Sequence, residues 1–259
     1  MSAELQASRR DATLILTFSN PGTQNTLHPD LCAAAVEVFT TAERDDSVRA
    51  VVLTGGKSTF CAGIDLHRLL EMRTRDADTP GVLIDHLHSW IEAIRNCPKP
   101  VIAAVEGIAA GAGFSLALAC DLIVAGNSAR FAMPASRIGL TPEGSGAWFL
   151  LQALPRQLAT EILLEGKPVT ATHLHALGLV NKLAADGMTL DSALDWADDL
   201  ASLAPNALEQ IKSLIDTASD NTLSRHAEQE KQVFIETLHH HNAHEGIQAF
   251  LQKRPPEFT

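Results

Sequence analysis

Two short stretches decide how this chain reads. The first is Phe60-Cys61-Ala62-Gly63-Ile64-Asp65-Leu66, just beyond the apolar run Val51-Val52-Leu53-Thr54. The second is Gly107-Ile108-Ala109-Ala110-Gly111-Ala112-Gly113-Phe114-Ser115, just beyond Val101-Ile102-Ala103-Ala104-Val105. Each joins a buried-strand pattern to a turn of small residues that opens a helix. A helix start leaves backbone N–H groups unpaired at the positive end of the helix dipole. Two such turns side by side aim two donors at one oxygen, the arrangement of an oxyanion hole. The pattern points to an α/β fold and to chemistry on a carbonyl.

Outward from these turns, strands and helices alternate. Residues 13–18 read as a strand and 31–43 as an alanine-rich helix. Residues 66–72 read as a short helix, and 76–80 have the composition of a mobile loop. Leu83, Leu87, Trp90, Ile91 and Ile94 recur at helical spacing and mark an amphipathic helix. Cys97-Pro98-Lys99-Pro100 ends it, because a residue before proline avoids helical geometry. The helix opening at Gly111 is apolar on nearly every side through Ala119, so it is expected to be buried. Two more short strands are expected over 122–125 and 129–133. Beyond Gly144 the pattern becomes almost wholly helical, with helices over 148–153, 158–164, 171–177, 190–203 and 207–217, the last led by Pro205 at a favoured first-turn position. The tail over 223–251 is polar and has little apolar surface for a core of its own, as in helices that pack on a partner.

Composition sets limits on function. The chain has 259 residues, enough for one large core. Its 46% hydrophobic and 20% charged content is that of an ordinary globular enzyme. No apolar run approaches a membrane span, and residues 1–10 lack the apolar core of a secretory signal. Cys32, Cys61, Cys97 and Cys120 are widely spaced, with no Cys-x-x-Cys pair, so a reducing cytoplasm is the expected home. A formal charge of −11 argues against a nucleic-acid partner. It leaves room for an anionic ligand met by a few local bases.

The blocks FCAGIDL and VEGIAAGAGFSLALACDLIVAG resemble the two signature blocks of the crotonase superfamily, the enoyl-CoA hydratases and isomerases. The likeness runs from SNPGTQNTL (residues 19–27) to AFLQKRPPEF (249–258). It implies a crotonase-type α/β fold, a spiral of strand–helix turns with a helical C-terminal region. A core over residues 1–200 would hold the acyl-CoA site, and residues 201–259 would form a trimerisation region, giving a homotrimer or dimer of trimers. Ile64 and Ala112 would supply the N–H groups that hold a thioester oxygen. Ala62, Gly63, Asp65 and Gly111 would line the substrate site, and Lys253 would meet a CoA phosphate. No cofactor is implied, since CoA is part of the substrate, and neither metal, nucleic acid nor membrane is expected.

By the same resemblance, hydratases add water with two glutamates, because one acid activates water while the other handles the proton at the adjacent carbon. The two positions are Ser115 and Ala135 here, so both acids are absent. A different carboxylate stands in Ile138-Gly139-Leu140-Thr141-Pro142-Glu143-Gly144. A group of double-bond isomerases carries an acid in a similar Pro-Glu/Asp-Gly setting, and the branch handling ring-derived CoA thioesters in phenylacetate breakdown is especially similar. Glu143 is thus the expected base, removing an α-proton and returning it at the γ-carbon, with Phe114, Trp148 and Phe149 as apolar walls that raise its proton affinity.

Plainer readings stand beside these. Glu143 also suits a helix start at Ser145. Asp65 suits a helix cap, His67 an exposed helix position, Ser115 a bond back to a carbonyl, and Glu106 a pairing with a base. His239-His240-His241-Asn242-Ala243-His244 lies at an expected helix break without the other ligands of a metal site, and Lys57, Lys253 and Arg254 read as solvated charges. Three functions remain: the isomerase, a hydratase or ring-opening hydrolase acting through Glu143 alone, and a non-catalytic acyl-CoA-binding protein.

Overall fold

The computed structural model describes every residue except 1–3, 21, 57 and 75–77. The strands are β1 (Glu4–Arg10), β2 (Thr13–Ser19), β3 (Ala50–Gly55), β4 (Val101–Val105), β5 (Ile108–Ala110), β6 (Leu122–Gly126), β7 (Arg130–Ala132), β8 (Val169–Thr170) and β9 (Lys182–Ala184). The helices of the first half are α1 (Pro29–Arg44), α2 (Leu66–Met72), α3 (Asp78–Asn96) and α4 (Ala112–Ala119). Those that follow are α5 (Gly146–Ala153), α6 (Arg156–Glu165), α7 (Ala171–Ala176), α8 (Thr189–Ala201), α9 (Pro205–Ala218), α10 (Leu223–His239) and α11 (His241–Gln252).

One sheet runs β1-β2-β3-β4-β6-β9, and a smaller one runs β5-β7-β8. In the large sheet β1 is antiparallel to β2 and every other pairing is parallel. Parallel strands are covered on both faces and so read as continuous apolar runs. Val51 and Leu53 of β3 enter the main core, while Val52 points the other way toward Ala193, Leu194 and Ala197 of α8. In the main core Phe18 packs edge-on against Phe60, at 5.1 Å between centroids, and against Trp90, at 5.8 Å. These contacts tie β2 to the first glycine turn and to α3.

The two sheets bring the glycine turns together. Past Gly55 the chain runs alongside β5: the Cys61 N–H donates to the Ile108 carbonyl (2.9 Å), and the Ala110 N–H donates to that of Cys61 (2.8 Å). The closeness depends on missing side chains. A Cβ on Gly113 would meet the Cys61 carbonyl oxygen at 2.4 Å and its Cβ at 2.6 Å, and one on Gly63 would meet the Ala110 oxygen at 2.7 Å. Asn25 braces the same region from below. Its buried side-chain amide donates to the carbonyls of Gly56 (2.9 Å) and Thr59 (2.6 Å), which gives the SNPGTQNTL segment its structural role.

The structure adds one strand ahead of β2 and corrects two expectations. The polar stretch Glu4–Arg10 forms a strand, because the tight turn at Asp11, with φ at 49°, folds it back on β2. Residues 78–80, expected in a loop, open α3, since proline is tolerated in a helix's first turn; residues 76 and 77 lie outside the described residues. The second half is not wholly helical. β9 joins the large sheet beside β6, and β8 pairs with β7.

The interlocked turns make a sharp test. Gly113→Ala should lower the denaturant-unfolding free energy by about 1–3 kcal/mol, the cost of overpacking a closed interior. Gly81→Ala meets nothing within 4 Å in α3 and should be neutral or stabilising, by up to about 1 kcal/mol.

Candidate active site

α4 is eight residues long, and every one is buried. Its N-terminus has no side-chain cap, because Gly111 sits there at φ 52° and ψ −124°, a conformation that favours glycine. A Cβ at Gly111 would also lie 2.7 Å from Oε1 of Glu143. The Ala112 N–H is therefore open to an anion, and the anion it meets is Glu143: the N–H donates to Oε1 at 2.8 Å. The Glu143 carboxylate stands where the sequence comparison expects a thioester oxygen. The first turn lies alongside. Ile64 precedes Asp65, the N-cap of α2, and its N–H makes no hydrogen bond among the described residues. A Cβ on Gly63 would lie 3.5 Å from the Ala112 nitrogen, so the two turns present their backbone to one place.

A cavity of about 520 Å³ opens there, bordered by Ala62, Gly63, Ile64, Gly111 and Glu143. Its walls are Leu66 and Leu69 of α2, Ile84 of α3, and Ile138 and Leu140 of the segment leading to Glu143. The expected walls Phe114, Trp148 and Phe149 do not border it. Phe114 packs inward on Phe131 at 5.0 Å, while Trp148 and Phe149 pack on each other at 5.2 Å. The apolar surroundings nevertheless have the expected effect: burial pushes the Glu143 carboxyl above its ordinary range, opposed by the Ala112 hydrogen bond.

The turn carrying Glu143 is built for that placement. Gly144 and Ser145 follow with φ of 64° and 57°. A Cβ on Gly144 would crowd Ser115, Leu87 and Ile91, each within about 3.1 Å. The buried Ser115 hydroxyl donates to the Glu143 carbonyl at 2.8 Å, with its own helix's Gly111 carbonyl farther off at 3.4 Å. Ser115, where the resemblance puts one of the two hydratase acids, anchors the backbone of Glu143. Ala135, where it puts the other, is buried and borders the cavity.

Other candidates fall into structural roles. Asp65 caps α2 by accepting from the His67 N–H (2.9 Å), and His67 is exposed. Among the described residues Glu106 pairs with no base; its Oε2 accepts from the Gly187 N–H (3.0 Å) and the Thr189 hydroxyl (2.8 Å), which ties down the start of α8. Glu143 does not serve the start of α5, since its carboxylate goes to α4 instead. The Cys61 thiol accepts from the Gly63 N–H, and burial pushes it up to about 12, which removes it as a nucleophile. Lys253 is an exposed C-cap of α11 and does not border the cavity of its own chain. Arg254 pairs with Glu245 rather than standing free, and Lys57 lies outside the described residues. In the histidine tract, His240 caps α11 and His241 meets the Thr259 hydroxyl. Besides the apolar walls, one titratable cavity residue escaped the sequence reading, His88 of α3. Its only signal was its i+4 spacing from Ile84, at the edge of the apolar stripe.

A family model for enoyl-CoA hydratase/isomerase matches residues 9–259. The 2,3-dehydroadipyl-CoA hydratase of Escherichia coli K12 is 35% identical, covering 99% of this chain and 98% of its own length. The 1,2-epoxyphenylacetyl-CoA isomerase of the same organism is 34% identical over 95% and 94%. Among solved structures, an enoyl-CoA hydratase from Polaromonas sp. JS666 superposes with a TM-score of 0.97 at 49% identity, covering 98% of this chain and 99% of that one. The chain thus belongs to the enoyl-CoA hydratase/isomerase family of the crotonase superfamily, and its fold is that of the superfamily.

Two stability measurements probe the site. Glu143 holds its proton to higher pH when folded than when unfolded. Its contribution to stability is therefore complete below the unfolded carboxylate range and is lost as pH rises through the folded value. Glu143→Gln cannot ionise, so its Tm should gain on the wild type from acid to neutral pH; a constant difference would mean that the carboxyl is not perturbed. Ser115→Ala leaves the Glu143 carbonyl only the longer bond from the Gly146 N–H (3.4 Å) and should cost about 0.5–1.5 kcal/mol in denaturant unfolding, the net worth of one hydrogen bond.

Proposed function

We propose that this enzyme shifts a β,γ double bond of an acyl-CoA thioester into α,β conjugation, with Glu143 as the only proton carrier. The observation that carries the reading is the Glu143 carboxylate resting on the Ala112 N–H inside an apolar cavity. A thioester oxygen entering between the Ile64 and Ala112 N–H groups displaces it. The carboxylate then loses the hydrogen bond that held its proton affinity down, and it becomes a stronger base in the same step that places the substrate. It takes the α-proton. The electron pair moves onto the thioester oxygen as an enolate held by the two N–H groups, and the protonated Glu143 returns the proton at the γ-carbon.

Ser115 and Ala135, where hydratases carry their two acids by the resemblance, favour a single-base shuttle over water addition. The 1,2-epoxyphenylacetyl-CoA isomerase among the relatives favours the ring-CoA branch, whereas the 2,3-dehydroadipyl-CoA hydratase keeps the hydratase reading in view. The assembly we propose is a trimer or a dimer of trimers. α9 and α10 bury no residue of their own, and they expose Ile211, Ile215, Phe234 and Leu238. In such an assembly Lys253 reaches a neighbour's CoA. The four free, buried cysteines suit a reducing compartment.

The experiment is turnover of β,γ-enoyl-CoA followed by absorbance and mass. Glu143→Gln should slow double-bond migration by roughly 10²–10⁴-fold, the share of one acid–base group, while binding of a saturated acyl-CoA stays nearly unchanged. With α-deuterated substrate, part of the label should reappear at the γ-carbon. Migration at the native rate in Glu143→Gln removes the carboxylate from the mechanism. A product heavier by one water, lost in the variant, establishes the hydratase reading instead.

A further inference from the structure

His88 is the one titratable side chain other than Glu143 that borders the cavity among the described residues, and the mechanism above does not use it. It is half-buried on α3, one turn beyond Ile84. Leu87 and Ile91 of the same helix approach Gly144, next to the catalytic carboxylate, so this stretch of α3 faces the cavity. Leu66, Leu69, Ile84, Ile138 and Leu140 supply hydrocarbon around it. Thr141 and Ser145 also line the cavity, but an aliphatic residue at position 88 would extend this hydrocarbon side for a plain alkyl chain. An imidazole does not. A hydrocarbon tail laid against it strips water from the ring nitrogens and offers nothing in return.

From this we infer that His88 reads an oxygen on the acyl group, and that the substrate carries an oxygen-bearing acyl tail rather than a simple hydrocarbon. The inference deepens the proposed function and rests on the cavity's being an acyl-thioester site. An apolar pocket discriminates weakly between a chain and its hydroxylated counterpart, whereas a site that hydrogen-bonds an oxygen penalises the analogue lacking it. His88 thus sets selectivity, while Glu143 and the two backbone donors act on the reacting atoms.

The test uses equilibrium binding of unreactive saturated thioesters, so that it does not depend on which reaction the enzyme performs. Hexanoyl-CoA is compared with ω-hydroxyhexanoyl-CoA and with the ω-carboxyl derivative, by calorimetry on the intact protein. The wild type should bind at least one oxygenated thioester more tightly than hexanoyl-CoA, by up to about tenfold, the scale of one hydrogen bond. The hydroxyl and carboxyl arms tell a neutral partner from an anionic one. His88→Leu should erase or reverse the preference by tightening hexanoyl-CoA, and His88→Gln, which keeps a donor and an acceptor, should retain part of it. Equal binding of all three thioesters by the wild type, or a preference that survives His88→Leu, overturns the inference alone. Failure of all three to bind overturns it together with the acyl-CoA reading of the cavity.

Discussion

Two stretches of backbone can share one anion only where neither carries a side chain that holds them apart. In this chain that constraint falls on Gly63 and Gly113. Each lies so close to the opposite turn that a single methyl group would collide with backbone atoms. The surroundings are arranged to permit this approach. β3 and β4 pair in parallel and end side by side, the Cys61 segment borrows the edge of β5, and the Asn25 amide fastens the loop before Phe60. The turns in turn leave two kinds of helix start. α2 is closed by the Asp65 carboxylate, whereas α4 is left open at Ala112. The contrast between a capped and an uncapped start leaves one of them able to take an anion.

The open start is not idle. A buried helix terminus with an unpaired N–H attracts negative charge, and the Glu143 carboxylate answers it. Burial alone would drive that carboxyl toward its neutral form, and the hydrogen bond partly offsets this. Structure and chemistry use the same interaction in sequence. In the free protein the charge at the start of α4 belongs to the carboxylate. In the proposed reaction it passes to the enolate oxygen, while Glu143 becomes neutral. The net charge inside the apolar cavity stays the same throughout, so the protein need not solvate a second buried anion at the point of highest energy. A preorganised donor is most effective under that condition, because no reorganisation is required as the charge moves.

The sequence was most legible where burial dominates. The parallel strands 51–54 and 101–105, the apolar α4 and the α3 stripe from Leu83 to Ile94 all announce themselves by hydrophobic pattern, and they form as expected. Elements whose order comes from pairing rather than burial were not legible. β1 is a polar edge strand held by its ladder to β2, and β9 is three residues long and half-exposed. The site followed the same rule. Glycines and the carboxylate could be placed because steric need and charge leave a local signature. The walls could not, because Leu66, Ile84 and Ile138 come from three separate segments that only the fold brings together. Ser115 was read correctly as a hydroxyl bonded to a carbonyl, but the carbonyl belongs to the Glu143 loop and only secondarily to its own helix.

Ser115 and Ala135, where the resemblance puts the two hydratase acids, have a physical logic in this geometry. A second carboxylate at position 135 would share the apolar-walled cavity with Glu143, and one at position 115 would be buried beside the Glu143 loop. Like charges in such surroundings cannot both stay ionised, so one would hold a proton. A hydratase can use that state, since it needs an acid and a base together. A shuttle that must be fully basic before proton removal and fully protonated after it gains nothing from a competing acid. Serine at 115 removes the second charge and converts the position into an anchor for the loop that carries the first. Alanine at 135 contributes only bulk to the cavity border. In the proposed reaction the acid–base chemistry thus rests on one carboxyl group, whose position is set by the helix terminus that would receive the thioester oxygen.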